Sequence, residues 1–464
     1  MGSRLLYSII FIFFFNNPIF SEESEPLRIL NAIVREHPEA KSLFHSLHAH
    51  KSHTEATGIM PDPKIGVAYR NYPTRNGYSL NDRPLDTPTM TGIEFSLSQE
   101  FPFPGKLGSE QRISKFMETE AGWNFESGIN RLLADALSKI NRYQRTSIKK
   151  ELNRKIADLL RAEKKVSEGY YSSGSSPLAE ALKVSIAKTA SMEKETEYSA
   201  ILKDLSSQLE YFLVEDRVSF RDLSLFDMDS YFKEHASRIL EFQNSVETSA
   251  AENPEYKLYL AEEKRLRESA KLSKLSLLPQ TEVFVSYMKR RSQTFALDQG
   301  PLEYKVMDTT EYRGDLFSFG VNLRVPVWSA LKWGSISGQY ETEAESGKET
   351  ARKIKLQVIA ELNRNSELIR GYEKQIEILD RKLVPELEQA VRAASASYLS
   401  GKINFQELSS IQVEVWNAKI RKEDLLEKKN DSVINVLKIL SLLYPHKDNP
   451  LHSDHTATAA GGRR

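Results

Sequence analysis

The sequence contains no cysteine. That excludes disulfides, thiolate metal sites and a lipidated N-terminal cysteine. It has no net charge either: 64 basic residues cancel 64 acidic ones, which gives no support to a nucleic-acid-binding surface. Beyond the N-terminus there is no long apolar run, since no later segment approaches the ~18 consecutive apolar residues of a membrane-spanning helix. Hydrophobic residues are only 40% of the chain and charged residues 28%, so much of it must be solvated helix face rather than thick core. The signatures of catalysis are missing too. There is no P-loop, no H-E-x-x-H, no glycine-rich dinucleotide turn and no G-x-S-x-G. The sequence therefore predicts no enzyme, no cofactor and no resident metal, and any energy source must lie in a partner.

What is present begins with a leader. Residues 1–21 read as a secretory signal peptide: Arg4 is the positive end, Leu5 to Phe15 the apolar run and Ser21 the small residue near a cleavage point. A membrane anchor is the alternative, but the run is short for a bilayer. A secreted chain of 464 residues without disulfides fits a bacterial envelope protein.

The most informative stretch is Gly92 to Lys106, GIEFSLSQEFPFPGK. Ile93, Phe95, Leu97, Gln99 and Phe101 alternate with Glu94, Ser96, Ser98 and Glu100, which predicts a strand with one apolar and one wet face. Pro102, Pro104 and Gly105 end it. From Lys106 the apolar residues recur in steps of three and four as far as Val166, which predicts one very long amphipathic helix. At 1.5 Å per residue its sixty-odd residues would extend about 90 to 100 Å, a length no compact domain needs. It breaks at Gly169 to Pro177, and a second helix, about 178–213, returns antiparallel. Upstream, a helix over about 25–58 and a strand at Ile65, Val67 and Tyr69 lead into the first hairpin.

The second half repeats this order. Leu278-Pro279 opens a strand as Met60-Pro61 does. Val283, Val285 and Tyr287 alternate with Glu282, Phe284 and Ser286. A long loop, about 289–314, precedes Phe317, Phe319, Val321, Leu323 and Val325, which alternate with Ser318, Gly320, Asn322 and Arg324. A long helix follows, kinked or interrupted at Pro385. Tyr398-Leu-Ser-Gly401 matches Tyr171-Ser-Ser-Gly174. The expected domains are the leader 1–21, a first repeat 22–235 (hairpin 64–101, long helices 106–213), a second repeat 236–443 (hairpin 280–325, long helices 330–443) and a disordered tail 444–464.

Four strands cannot close a barrel alone, and an open sheet edge in lipid leaves backbone groups unsatisfied at several kcal/mol each. Several copies sharing one barrel would solve this, with lipid outside and water inside. Strands of about nine to eleven residues suit a tilted bilayer crossing. The plainer alternatives are a soluble β-layer on helices and a dimeric coiled coil, and the latter leaves the two-faced hairpins unexplained.

On the duplicated layout, SLSQEFPFPGK, the M-P-D-P entry at Met60 to Pro63, the V-P-V-W exit at Val325 to Trp328 and the paired Tyr-x-x-Gly turns, the chain resembles the TolC-like outer-membrane efflux family. The resemblance covers about residues 25–443, and the wording of Q-x-F-P-F-P-G-K is closest to the heavy-metal efflux branch. It implies a mainly α fold with a membrane β-barrel portion: a homotrimer with a twelve-stranded barrel and a periplasmic α-helical barrel. It implies an exit duct in the outer membrane, served by a periplasmic adaptor and an inner-membrane pump, of the proton-driven type. Lipid-anchored members of the family carry an N-terminal cysteine; this chain departs there, so no lipid anchor is expected. By resemblance Tyr171, Gly174, Tyr398 and Gly401 shape the periplasmic tips that meet the adaptor, although ordinary turn chemistry explains the glycines equally well. Glu407 and its repeat partner Glu180 are aperture candidates, whose rings would favour cations; helix-start glutamates favoured by the dipole are the alternative. Glu94, Ser96, Ser98, Ser318, Asn322 and Arg324 are expected in the barrel lumen. His45, His48, His50 and His53 form a cluster whose 45/48 spacing puts two rings on one face, as a metal-trapping patch would, although a polar helix surface explains it adequately, and Trp328 and Trp333 mark either a membrane boundary or core packing. The alternative function is a periplasmic adaptor, which also uses helical hairpins but commonly one rather than two.

Overall fold

The computed structural model describes residues 25–71, 91–174, 177–214, 218–228, 231–232, 246–290, 293–297, 307–311 and 314–444. The predicted leader, most of the loop between the first two strands and all of the predicted tail except Tyr444, which is buried, lie outside these residues. The described helices are α1 (Glu25–Glu36), α2 (Pro38–Ala56), α3 (Lys106–Ser172), α4 (Leu178–Glu210), α5 (Phe220–Ser224), α6 (Val246–Ala251), α7 (Pro254–Leu275), α8 (Val327–Ile378), α9 (Val384–Leu399) and α10 (Phe405–Ile439). The strands are β1 (Lys64–Arg70), β2 (Gly92–Phe101), β3 (Gln280–Arg290), β4 (Gln293–Leu297), β5 (Met307–Glu311) and β6 (Leu316–Arg324). Two compact units result, one from Met1–Lys41, Gly128–Val246 and Glu361–Arg464, the other from Ser42–Ser127 and Glu247–Ala360. Among the described residues, no helix is long and apolar enough to cross a membrane.

The unit of 42–127 and 247–360 carries the sheet. Its order is β1-β2-β3-β6, with every neighbouring pair antiparallel. The period-two patterning survives pairing because the registers preserve it. Ser96 lies opposite Gly66 and Ser286, and Ser286 opposite Ser318, while Leu97 lies opposite Ile65 and Val285, and Val285 opposite Phe319. Pro102 and Pro104 stop β2, and Gly105, at φ +94°, turns the chain into α3. The same unit ties its helices with charge. Buried Glu268 of α7 accepts from Ser109 and from Arg112 of α3, each at 2.9 Å. Arg265 donates to Glu120 at 2.7 Å, and the Lys257 ammonium sits 4.7 Å from the centre of the Trp123 ring.

In the other unit, Ile129, Leu133, Leu137 and Ile140 of α3 are fully buried, as their spacing of three and four requires. So are Val436 and Leu437 of α10. A polar seam continues this packing. Asn130 donates to Ser441, Ser138 to Asp431, Arg145 to Glu423 and Lys149 to both Asp424 and Glu427. Asn141 and Asn430 bond side chain to side chain at 3.0 Å. Numbers rise along α3 as they fall along α10, so the two helices run antiparallel. The α3–α4 pair is bonded by Asn153 and Ser191 at 2.9 Å, and the α9–α10 pair by Lys419 and Glu388 at 3.0 Å.

Several expectations need correction. The helix over 25–58 is two helices, separated at His37, whose ring bonds the carbonyl of Tyr211 at 2.9 Å. The loop over 289–314 is not all loop: β4 and β5 pair within it, and its threonines (Thr294, Thr309, Thr310) are the β-formers that the surrounding charges and glycines obscured. The stretch after α4 includes the short helix α5, closed by a capping box between Ser219 and Asp222. Pro385 does not break the last long helix sharply. A π-turn over Leu379–Leu383 joins α8 to α9, a wider turn that absorbs the steric conflict and missing donor of a proline just downstream.

Candidate functional site

Three places carry the sequence-predicted site residues. The first is the sheet. Glu94, Ser96, Ser98, Ser318, Asn322 and Arg324 fall on one face, by the registers Glu94–Met288, Ser96–Ser286–Ser318, Ser98–Phe284–Gly320, Glu282–Asn322 and Gln280–Arg324. The face is bonded internally. Arg70 pairs with Glu94, Ser98 donates to Glu282 at 2.7 Å, and Lys64 lies 3.7 Å from Glu100. The opposite face is unusually bare. Ile65 is 82% exposed and Phe319 81%, and Val67, Phe95, Leu97, Phe317, Val321 and Leu323 are exposed with them. A contiguous apolar surface of this kind, unlike scattered apolar residues, requires a covering phase or partner. The wet face is not wholly polar, as the place of Phe284 in the alternation of β3 implies. Phe284 and Met288 share it, and a Cβ at Gly320 would come within 2.8 Å of the Phe284 ring, so glycine is what lets that ring lie flat. The odd apolar residue in an otherwise alternating strand was the available signal.

The second place is the pair of turns after α3 and α9. Gly174 and Gly401 have φ of +76° and +73°, with open space around each Cβ position. The Gly174 amide donates to the Tyr171 carbonyl at 3.0 Å, and the Gly401 amide to the Tyr398 carbonyl at 2.9 Å. At the second turn Lys402 also donates to Ser397 at 2.8 Å, which completes a Schellman cap. The matching Tyr-x-x-Gly motifs are thus a shared helix-ending device. It uses the backbone of each tyrosine and leaves both rings exposed.

The third place is the start of α4 and α10. Asn404 caps α10 by accepting from the Glu407 amide at 2.8 Å. Glu180 lines a cleft of about 210 Å³ with Glu163 and Tyr170 of α3 and with Asn404 and Phe405. Glu163 was not foreseen. It is 6% exposed and accepts one hydrogen bond, from the hydroxyl of Ser409. Burial pushes its carboxyl above the usual range, against the pull of the Ser409 bond. Periodicity put it on a helix but could not show which other helices would enclose it.

The histidine cluster does not converge. His48 packs its ring 4.2 Å from that of Phe44, and His45 lies 5.9 Å from it. Among the described residues no group of three or more ligating side chains could hold a metal ion. Trp328 stands 78% exposed in the first turn of α8; Trp333 is half-buried in the same helix.

No protein-family model matches the sequence, and no curated protein matches it. Solved structures do. The outer membrane protein VceC of Vibrio cholerae superposes with a TM-score of 0.66 at 10% identity, covering 90% of this chain and 96% of its own. The fold is TolC-like. The TolC-like fold is shared with the Campylobacter jejuni CmeC outer membrane channel, at a TM-score of 0.64, 11% identity and coverage of 93% and 89%. It is also shared with CusC, described for transmembrane channel formation, at 0.65, 10% and coverage of 90% and 92%. Long helices joined to a small sheet are thus the common architecture, held at an identity where few side chains coincide.

Proposed function

We propose that this chain is the outer-membrane exit duct of a tripartite efflux system, conducting passively what an inner-membrane pump and a periplasmic adaptor deliver. The observation that carries the reading is the four-stranded sheet, with one face bare and apolar, the other mostly polar, and no further strand beside β1 or β6 among the described residues. Lipid suits the first face and water the second. The edges are satisfied if β1 of one copy pairs with β6 of the next, and three copies give the twelve strands expected of the homotrimer. The TolC-like fold, shared with outer membrane channels, supports the same reading over the adaptor alternative.

On this reading the two repeats, 22–235 and 236–443, each supply one strand pair to the barrel and one helix pair to a periplasmic tunnel. Glu94, Ser96, Ser98, Ser318, Asn322 and Arg324 line the lumen. Tyr171, Gly174, Tyr398 and Gly401 form the tips that face the adaptor, with Glu180 and Glu407 nearby as aperture charges. The pump is of the proton-driven type, and the chain itself catalyses nothing.

The test is the native mass of detergent-purified mature protein, followed by its conductance in a planar bilayer. A trimer with stepwise conductance is expected. A water-soluble monomer or dimer that does not conduct would sink the reading and return the adaptor alternative.

A further inference from the structure

The cleft between α3, α4 and α10 holds a carboxylate with no counter-ion. Glu163 is buried, its one bond comes from the neutral Ser409 hydroxyl, and among the described residues it makes no ion pair. Removing a carboxylate from water is costly unless a positive group or several donors replace the solvent. Buried Glu268 has Ser109, Arg112 and Lys271, and the buried Lys149 has Asp424 and Glu427. Glu163 has no such charged partner among the described residues, and it borders an open volume. The other walls of that volume include two aromatic rings and a second carboxyl, with Val166, Ser167, Asn404 and Gln406 between them. Tyr170 and Phe405 line it, the Phe405 ring lies 5.8 Å from the Tyr398 ring, and Glu180 adds a second carboxyl.

We propose that this cleft binds one organic cation, an alkylammonium or guanidinium group, with Glu163 as its counter-ion and Tyr170 and Phe405 as its aromatic walls. Aromatic faces attract such cations, more strongly where water is excluded. A metal ion is a poor fit, because among the described residues no three ligating side chains converge there. The site rests on the cleft and not on the exit-duct reading, so it stands or falls separately.

Affinity should rise with pH. Burial shifts an empty Glu163 toward its protonated form, and a bound cation favours the ionised one. The other titratable groups facing the cleft are Tyr170 from α3 and Glu180 from α4; α10 contributes Phe405 and Gln406, with its cap Asn404, none of which titrates.

The experiment is calorimetric titration of the detergent-purified full chain with benzamidinium, and with neutral benzamide, at pH 5.5 and pH 7.5. One benzamidinium per chain is expected, bound more tightly at pH 7.5, with benzamide not bound. Glu163→Gln should weaken benzamidinium by at least about tenfold, equivalent to ~1.4 kcal/mol. Ser409→Ala keeps the carboxylate and should keep binding, which separates loss of the counter-ion from damage to the fold. No binding to the parent chain, equal binding by Glu163→Gln, or equal binding of benzamide would each overturn the proposal. A capped Gly-Arg-Gly peptide extends the test to the source of the cation. Tighter binding of the peptide than of benzamidinium assigns the site to a polypeptide side chain, and weaker binding assigns it to a free amine.

Discussion

Glu163 and Glu268 are both buried carboxylates, and their surroundings send them in opposite directions. Burial raises the pKa of each. At Glu268 the bonds from Arg112, Ser109 and Lys271 outweigh burial and hold the carboxyl below its usual range, whereas at Glu163 the single Ser409 bond does not. The consequences for stability have opposite signs. Glu268 stabilises the fold above the unfolded carboxylate pKa, and that contribution is lost as pH falls through its lower folded value. Glu163 costs nothing below the unfolded value and costs most above its raised folded value. Glu268→Gln should therefore lose about 1–3 kcal/mol at neutral pH, as expected for breaking charged hydrogen bonds in a buried site, and lose progressively less in acid. Arg112 is half-exposed and stays hydrated when its partner goes. Glu163→Gln should instead raise the melting temperature at pH 7.5, with the gain shrinking toward pH 5. Circular-dichroism melts of both variants at the two pH values check this; parallel behaviour would refute it. A residue that destabilises the empty protein while pointing into a cleft fits a binding role, since such sites commonly trade stability for function.

At the scale of elements, the helix ends make the sharpest statement. Gly174 and Gly401 are left-handed with nothing near the missing Cβ, so an alanine there meets only backbone strain, roughly 1–2 kcal/mol. Because turns open locally, that cost should show as faster exchange rather than a lower global melt. Gly401→Ala should speed exchange of the Gly401 and Lys402 amides by about tenfold or more, while Gly401→Asn, which tolerates the left-handed region, does so less. Unchanged exchange would show that another device ends α9. The same turns show what a sequence makes legible. Glycine followed by a changed period marks where a helix ends, and strict alternation from Ile93 to Phe101 marks two faces; both are local signals, and both survive in the structure. Pro385 announced an interruption but not its form, because a π-turn depends on how the preceding helix can widen. The α3–α10 seam of Asn141, Asn430 and Asp431 was illegible for a different reason. Each half reads as its own helix pair, and only packing decides that α3 also pairs across the halves. The burial of Glu163 is a product of that same nonlocal choice.

At the scale of the whole molecule the question is what closes the sheet. Its four strands alternate in direction, so β1 and β6 run opposite ways and sit at opposite edges. Any number of copies can therefore close in a ring without breaking the antiparallel order, and the even strand count that outer-membrane barrels require follows from one chain. An edge with bare apolar residues beside it cannot persist in water without inviting another strand. In lipid it is worse, because unpaired backbone groups find no solvent there. On the proposed reading these edges pair between copies, and the number of copies is what an experiment must count. The cysteine-free sequence makes that number measurable. With Val67→Cys in β1 fixed, a second cysteine placed in turn at Phe319, Val321 or Leu323 of β6 samples the neighbouring registers, and a disulfide forms only where Cβ atoms come within about 4.5 Å. One of the three double variants should give a reducible ladder on denaturing gels that stops at three chains. A ladder that stops at two, or runs past three, would overturn the twelve-stranded barrel while leaving the demand for edge pairing in place. Three double variants that all remain monomeric after oxidation would remove the shared barrel, and with it the duct.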